Sequence, residues 1–97
     1  MLSLEKARAL AVEYANSQYA VPGDTLEIID RDTMETSYGW VFFPNSTRYL
    51  RTRDPSDALA GNSPLLVLKQ NGAVYELGTA RPVLDALAEL EVRNRLR

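Results

Sequence analysis

Residues 38–43 read Tyr-Gly-Trp-Val-Phe-Phe, and residues 65–68 read Leu-Leu-Val-Leu. Successive side chains of a β-strand point to opposite faces. As strands, neither segment therefore has a polar side: Trp40 and Phe42 point one way, Val41 and Phe43 the other. A sheet built on such strands needs cover on both faces, which restricts the chain to layered arrangements. The aromatic run would also suit a platform for stacking a ligand, but a central strand accounts for it without one. Gly39, just before Trp40, marks either a bulge or a close approach of two backbones.

The covers are supplied by two amphipathic segments. Leu4 to Tyr19 repeats apolar residues at three- and four-residue spacing (Leu4, Ala7, Leu10, Ala11, Tyr14, Ala15), with Ser3 placed to cap the first turn and Pro22-Gly23 to end it. Pro82 to Asn94 presents Val83, Leu84, Leu87 and Leu90, with Pro82 at the first helical position and arginines near the end. Four strands are expected between them: Thr25–Asp30, Met34–Phe43 stopped by Pro44, Leu65–Leu68, and Ala73–Thr79. Asn71-Gly72 predicts a two-residue type I′ hairpin turn joining the last two. The expectation is one α+β domain over residues 1–97: N-terminal helix, four-stranded mostly antiparallel sheet, C-terminal helix. The connection from Asn45 to Ser63 exceeds ordinary loop length, and Asp54-Pro-Ser-Asp-Ala-Leu59 within it reads as a single helical turn. Gly61-Asn62-Ser-Pro64, beside the long loop, could be a binding motif, but it reads better as a structural turn in which Gly61 or Asn62 takes positive φ and Pro64 starts the next strand.

Chemistry is bounded mainly by absences. With no Cys and no His, the chain cannot form disulfides, Cys/His zinc sites, thiol nucleophiles or Ser-His-Asp triads. Its net charge of −2, from 11 basic and 13 acidic residues, argues against general nucleic-acid binding. No apolar run is long enough for a membrane span, and the first residues lack the order of a signal peptide, so a cytoplasmic protein is expected. No phosphate-binding glycine motif occurs.

Two charged stretches remain. Asp24, Glu27, Asp30, Asp32 and Glu35 form an acidic cluster that could hold a hard cation, but Met34 breaks the calcium-loop pattern, and a solvated rim explains the same residues. Arg48, Arg51 and Arg53 could hold phosphates, or pair with the adjacent Asp54 and Asp57 in a salt-bridged loop. Tyr49 either anchors a partner or, with Leu50, folds inward over the second face of the sheet. No catalytic group and no metal or cofactor site is expected.

Tyr38-Gly-Trp-Val-Phe-Phe-Pro-Asn-Ser46, then Tyr49-Leu50, then Leu59-Ala-Gly-Asn-Ser-Pro64 with the apolar strand after it, then Gly78-Thr79, together resemble the immunity protein 35 (YrhB-like) family. The resemblance runs from about Leu4 to Leu90. It implies a small bacterial inhibitor, not an enzyme, that binds and occludes a cognate polymorphic toxin. A chaperone-like holdase for unfolded clients is the alternative from another class, and it would expose a contiguous apolar patch. A homodimer is possible but no residue pattern indicates one. If a toxin is the partner, the densest charge and the longest connection place its surface at Asp30, Asp32, Glu35, Tyr49, Arg51, Arg53, Asp54 and Asp57.

Overall fold

The computed structural model describes residues 1–19, 21–54 and 63–96. Helix α1 (Leu4–Ser17) starts where the Ser3 hydroxyl accepts from the Lys6 amide at 3.2 Å. It ends short of the expected Tyr19, because its last turn is drawn elsewhere. The Ser17 hydroxyl donates to the Tyr14 carbonyl at 2.7 Å, and the Asn16 side chain turns to the next element. That element, β1 (Leu26–Ile28), exchanges two hydrogen bonds with the Asn16 amide, which donates to the Leu26 carbonyl at 3.0 Å and accepts from its N–H at 2.7 Å. One side chain thus ties the helix to the strand as a neighbouring strand would.

The chain then forms β2 (Met34–Glu35), β3 (Gly39–Phe42), β4 (Pro44–Ser46), helix α2 (Thr47–Thr52), β5 (Leu65–Leu68), β6 (Val74–Glu76) and helix α3 (Val83–Asn94). The four-stranded sheet runs β2-β3-β5-β6, antiparallel throughout, between an N-terminal and a C-terminal helix, as expected of this α+β class. Its membership differs from the expected one. The stretch from Met34 to Phe43 is not one strand: the Thr36 hydroxyl accepts from the Gly39 and Tyr38 amides, and the chain folds back on itself there. Nor does Pro44 stop the β-structure. It opens β4, where a missing donor is harmless, and β4 pairs with β1 in a separate two-stranded ribbon, Leu26 opposite Ser46 and Ile28 opposite Pro44. The long connection is also shorter than it looks, since β4 and α2 occupy its first part. Ser46 caps α2 by accepting from the Tyr49 amide at 3.2 Å. The expected turn at Asp54–Leu59 and the Gly61-Asn62 turn fall mostly on residues 55–62, outside the described residues.

The two-faced reading of β3 and β5 holds. Trp40, Phe42, Leu65 and Val67 pack with Ala7 and Ala11 of α1 on one face. Val41, Leu66 and Leu68 pack with Ala86 and Leu87 of α3 on the other. Alanines at 7 and 11 let the α1 backbone come close to the sheet. The second face is therefore covered by α3. Tyr49 and Leu50 stay half-buried on α2 and join neither cluster. Leu84, expected on the apolar face of α3, is 68% exposed instead, and Pro82 takes the cap position, one residue before the helix.

Two glycines are required by geometry. A Cβ on Gly39 would press into the Val67 carbonyl oxygen and meet Leu66 Cδ1 at 3.2 Å, so the glycine marks a close backbone approach in the β3–β5 ladder. The hairpin after β5 is not the expected two-residue turn. Gly72 has φ +74° but Asn71 is not at positive φ; the loop spans residues 69–72, closed by Gly72 N–H to the Leu68 carbonyl at 3.0 Å, while Asn71 Oδ1 accepts from the Ala73 amide at 3.0 Å. A side chain that can accept this bond lets Asn71 avoid the left-handed region.

Trp40→Ala is expected to lower the unfolding free energy by roughly 3–5 kcal/mol through lost burial and a residual cavity. Gly39→Ala is expected to cost roughly 1–3 kcal/mol by overpacking the ladder. Urea denaturation checks both, and an unchanged midpoint for either would show that β3 is not the centre of the fold.

Candidate functional site

The charged residues are positioned by the β1–β4 ribbon. Asp24 sits at its base, half-buried, and accepts from four donors: the Ser46 hydroxyl, the Tyr19 hydroxyl at 2.8 Å, the Thr25 amide at 2.9 Å and the Arg48 amide at 3.1 Å. These bonds, led by that from Ser46, hold the Asp24 carboxyl well below the usual carboxylate range. Burial, together with the Asp24 charge, pushes the Tyr19 hydroxyl up. Ser46 is fully buried and also caps α2, so Asp24, Ser46 and the Tyr49 amide form one chain of bonds from the ribbon into the helix. Asp24, the first residue of the acidic stretch, is thus a structural acid.

The remaining candidates fall into separate places. Asp30 and Asp32 lie on a 3₁₀ turn directly after β1. Asp30 is gripped by Arg8 of α1, Nε to Oδ1 at 2.7 Å and Nη2 to Oδ2 at 3.2 Å, which lowers its pKa and removes it as a lone charge. Asp32 is exposed without an ion pair among the described residues. Glu35, on the edge strand β2, holds Lys69 at 2.7 Å, and that ammonium also lies 5.1 Å from the Trp40 ring centre. Tyr49 and Arg51 belong to α2, with the Arg53 guanidinium 5.8 Å from the Tyr49 ring centre and Asp54 exposed just beyond. Arg48 turns back towards the Pro22 carbonyl at 3.4 Å. Asp57 lies outside the described residues.

The ribbon register shows which of these can meet. Ile28 stands opposite Pro44 and Leu26 opposite Ser46, so the chain reaches Asp30 and Asp32 from one end of the ribbon and enters α2 from the other. The acidic turn and the Tyr49–Arg53 helix are therefore two surfaces. Sequence reasoning missed Arg8 and Lys69, the cations that neutralise Asp30 and Glu35; they lie 22 and 34 residues from their partners, and no local pattern signals such pairs. Among the described residues no group of three or more acids is placed to hold a metal ion, and no helix is long and apolar enough to cross a membrane.

Because the folded-state pKa of Asp24 is depressed, its stabilisation is fully present above the unfolded carboxylate value, about 4, and is lost as pH falls below it. Asp24→Asn should therefore lower the urea midpoint at about pH 7, and the gap from wild type should narrow on acidification to about pH 3. A gap independent of pH would remove the ionised carboxylate from this role.

The fold and these positions are what comparison with known proteins can be set against. The uncharacterised protein YrhB of Escherichia coli strain K12 is 37% identical over 58 residues, 60% of this chain and 62% of that relative, so the match spans less than two thirds of its length. No solved structure matches the chain. The family described as Immunity protein 35 matches over residues 5–89, from the first turn of α1 to within α3 and so across both covering helices and the sheet between them. With so much of its length matched, the chain belongs to the immunity protein 35 family.

Proposed function

We propose that this protein neutralises a cognate bacterial toxin of a polymorphic toxin system by binding it in the cytoplasm and blocking its working surface, without performing chemistry itself. The observation that carries this reading is the family match over residues 5–89. The fold supports it physically: a sheet clamped between two helices is a stiff scaffold, and binding to a stiff surface loses little ordering entropy. The partner contacts we propose lie on two surfaces: the acidic turn (Asp30, Asp32) with Glu35 on the neighbouring edge strand, and the α2 region (Tyr49, Arg51, Arg53, Asp54, with Asp57 following). Tyr and Arg together are the residue types that most often dominate interface energy, because they combine large contact area with directional bonds. Exposed acids complement a basic patch on the toxin and chiefly raise the association rate. A holdase would need one contiguous apolar patch. Among the described residues the exposed large apolar side chains are Met1, Leu4, Val21, Leu84 and Val92, drawn from three separate stretches of the sequence, which does not favour that reading.

The test is co-expression with the toxin encoded beside this gene, scored by cell growth and by a co-migrating complex on gel filtration. Growth rescue and a stable complex are expected; neither appearing would end the toxin reading. Tyr49→Ala is expected to speed dissociation by about tenfold or more. The pair Asp30→Lys and Asp32→Lys should slow association several-fold at low salt and much less at about 0.5 M, since steering is screened.

A further inference from the structure

Between the hairpin loop at residues 69–72 and the end of α3, the fold leaves a cleft of about 580 Å³. Tyr38, Leu68, Tyr75 and Leu96 line it, and all four also pack on the α3-facing core, so the walls are held in place from behind. Among the described residues, the charged side chains in its lining are Lys69 and Arg95, both cationic in a chain whose net charge is −2. Lys69 is already occupied by Glu35. Arg95 is exposed, ends α3 with φ +52°, and makes no ion pair among the described residues. The end of a helix carries roughly half a negative charge, and a whole guanidinium charge beside it outweighs that.

We propose that this cleft binds an acidic segment of the partner protein: a carboxylate on Arg95 with an adjoining apolar or aromatic side chain laid against Tyr38 and Tyr75. The volume lies within the range of about 300–1,000 Å³ usual for sites that enclose a ligand, which is room for such a short segment and not for a whole element. A guanidinium matches a carboxylate with two parallel donors, and the tyrosine rings give the neighbouring side chain a fixed apolar wall. No residue of α2 lines this site, which would give the complex a contact of the opposite sign to that of the acidic turn. The proposal rests on the toxin reading only for the identity of the protein that supplies the segment.

The first arm of the test needs no toxin. Backbone amide resonances of the full chain are followed while acetyl-Glu-Phe-Asp-amide is added, with acetyl-Lys-Phe-Lys-amide as control. The acidic peptide is expected to shift Tyr38, Lys69, Gln70, Tyr75 and Arg95 saturably, and the basic one to leave them in place. Arg95→Glu and Gln70→Glu, both at exposed positions, should each weaken the acidic peptide by about tenfold or more while the remaining spectrum stays that of the folded protein. Shifts that scatter over the surface, equal binding of the basic peptide, or unchanged binding by Arg95→Glu would each overturn the site. In the second arm, the neighbouring-gene toxin is added to the peptide complex. Displacement of the peptide supports the assignment. A toxin complex that leaves the peptide bound overturns it and leaves the toxin reading intact, whereas peptide binding with no toxin complex removes that reading and leaves an acidic-segment site.

Discussion

β3 and β5 pair antiparallel from Gly39 opposite Leu68 to Phe42 opposite Leu65, and every residue of both strands is buried. A ladder with no wet face is stable only if both sides are covered, because exposed apolar surface costs about 25 cal/mol per Å² relative to burial. That requirement places α1 on one side and α3 on the other. The register in turn depends on Gly39, since any side chain there would meet the Val67 carbonyl. A slip by one residue would exchange Trp40 and Phe42, packed against Ala7 and Ala11 of α1, for Val41, packed against Ala86 and Leu87 of α3.

Outside the sandwich, polar groups do the positioning. Asn16 joins α1 to β1, and Asp24 joins the β1–β4 ribbon to α2 through the buried Ser46 hydroxyl. A buried hydroxyl without partners would be destabilising, so this network is most useful when complete. It gives α2, a helix of only 6 residues, a defined orientation that its length alone could not supply. Recognition by an inhibitor depends on such defined surfaces, and the proposed contact residues on α2 inherit theirs from an aspartate that the same reading places outside the contact.

Electrostatics are more balanced than the acidic cluster suggests. Arg8 answers Asp30 and Lys69 answers Glu35, so the exposed charge near the ribbon is smaller than a count of acids implies. Both pairs involve exposed carboxylates and add little to stability. Their consequence is for association, where a weaker field means weaker steering.

The α+β class, the two covering helices and the alternation at Trp40, Val41 and Phe42 were legible because helix and strand periods are local and the burial of a two-faced strand is not negotiable. The same local signals misplaced the Met34–Phe43 strand, since nothing in its β-rich composition marks the turn that the Thr36 hydroxyl makes with the Gly39 backbone. They also put Leu84 on the buried face of α3, where periodicity allows either edge of the stripe and only docking against the sheet selects one. The candidate residues fell into two stretches of sequence, but that these stretches leave the β1–β4 ribbon at opposite ends was not legible, because strand pairing decides it. Composition and periodicity thus determined the layers and what the chain cannot catalyse with His or Cys. Tertiary structure alone decided the charge pairs, the α2 position and the Arg95 cleft, because each joins residues that are neighbours in space and strangers in sequence.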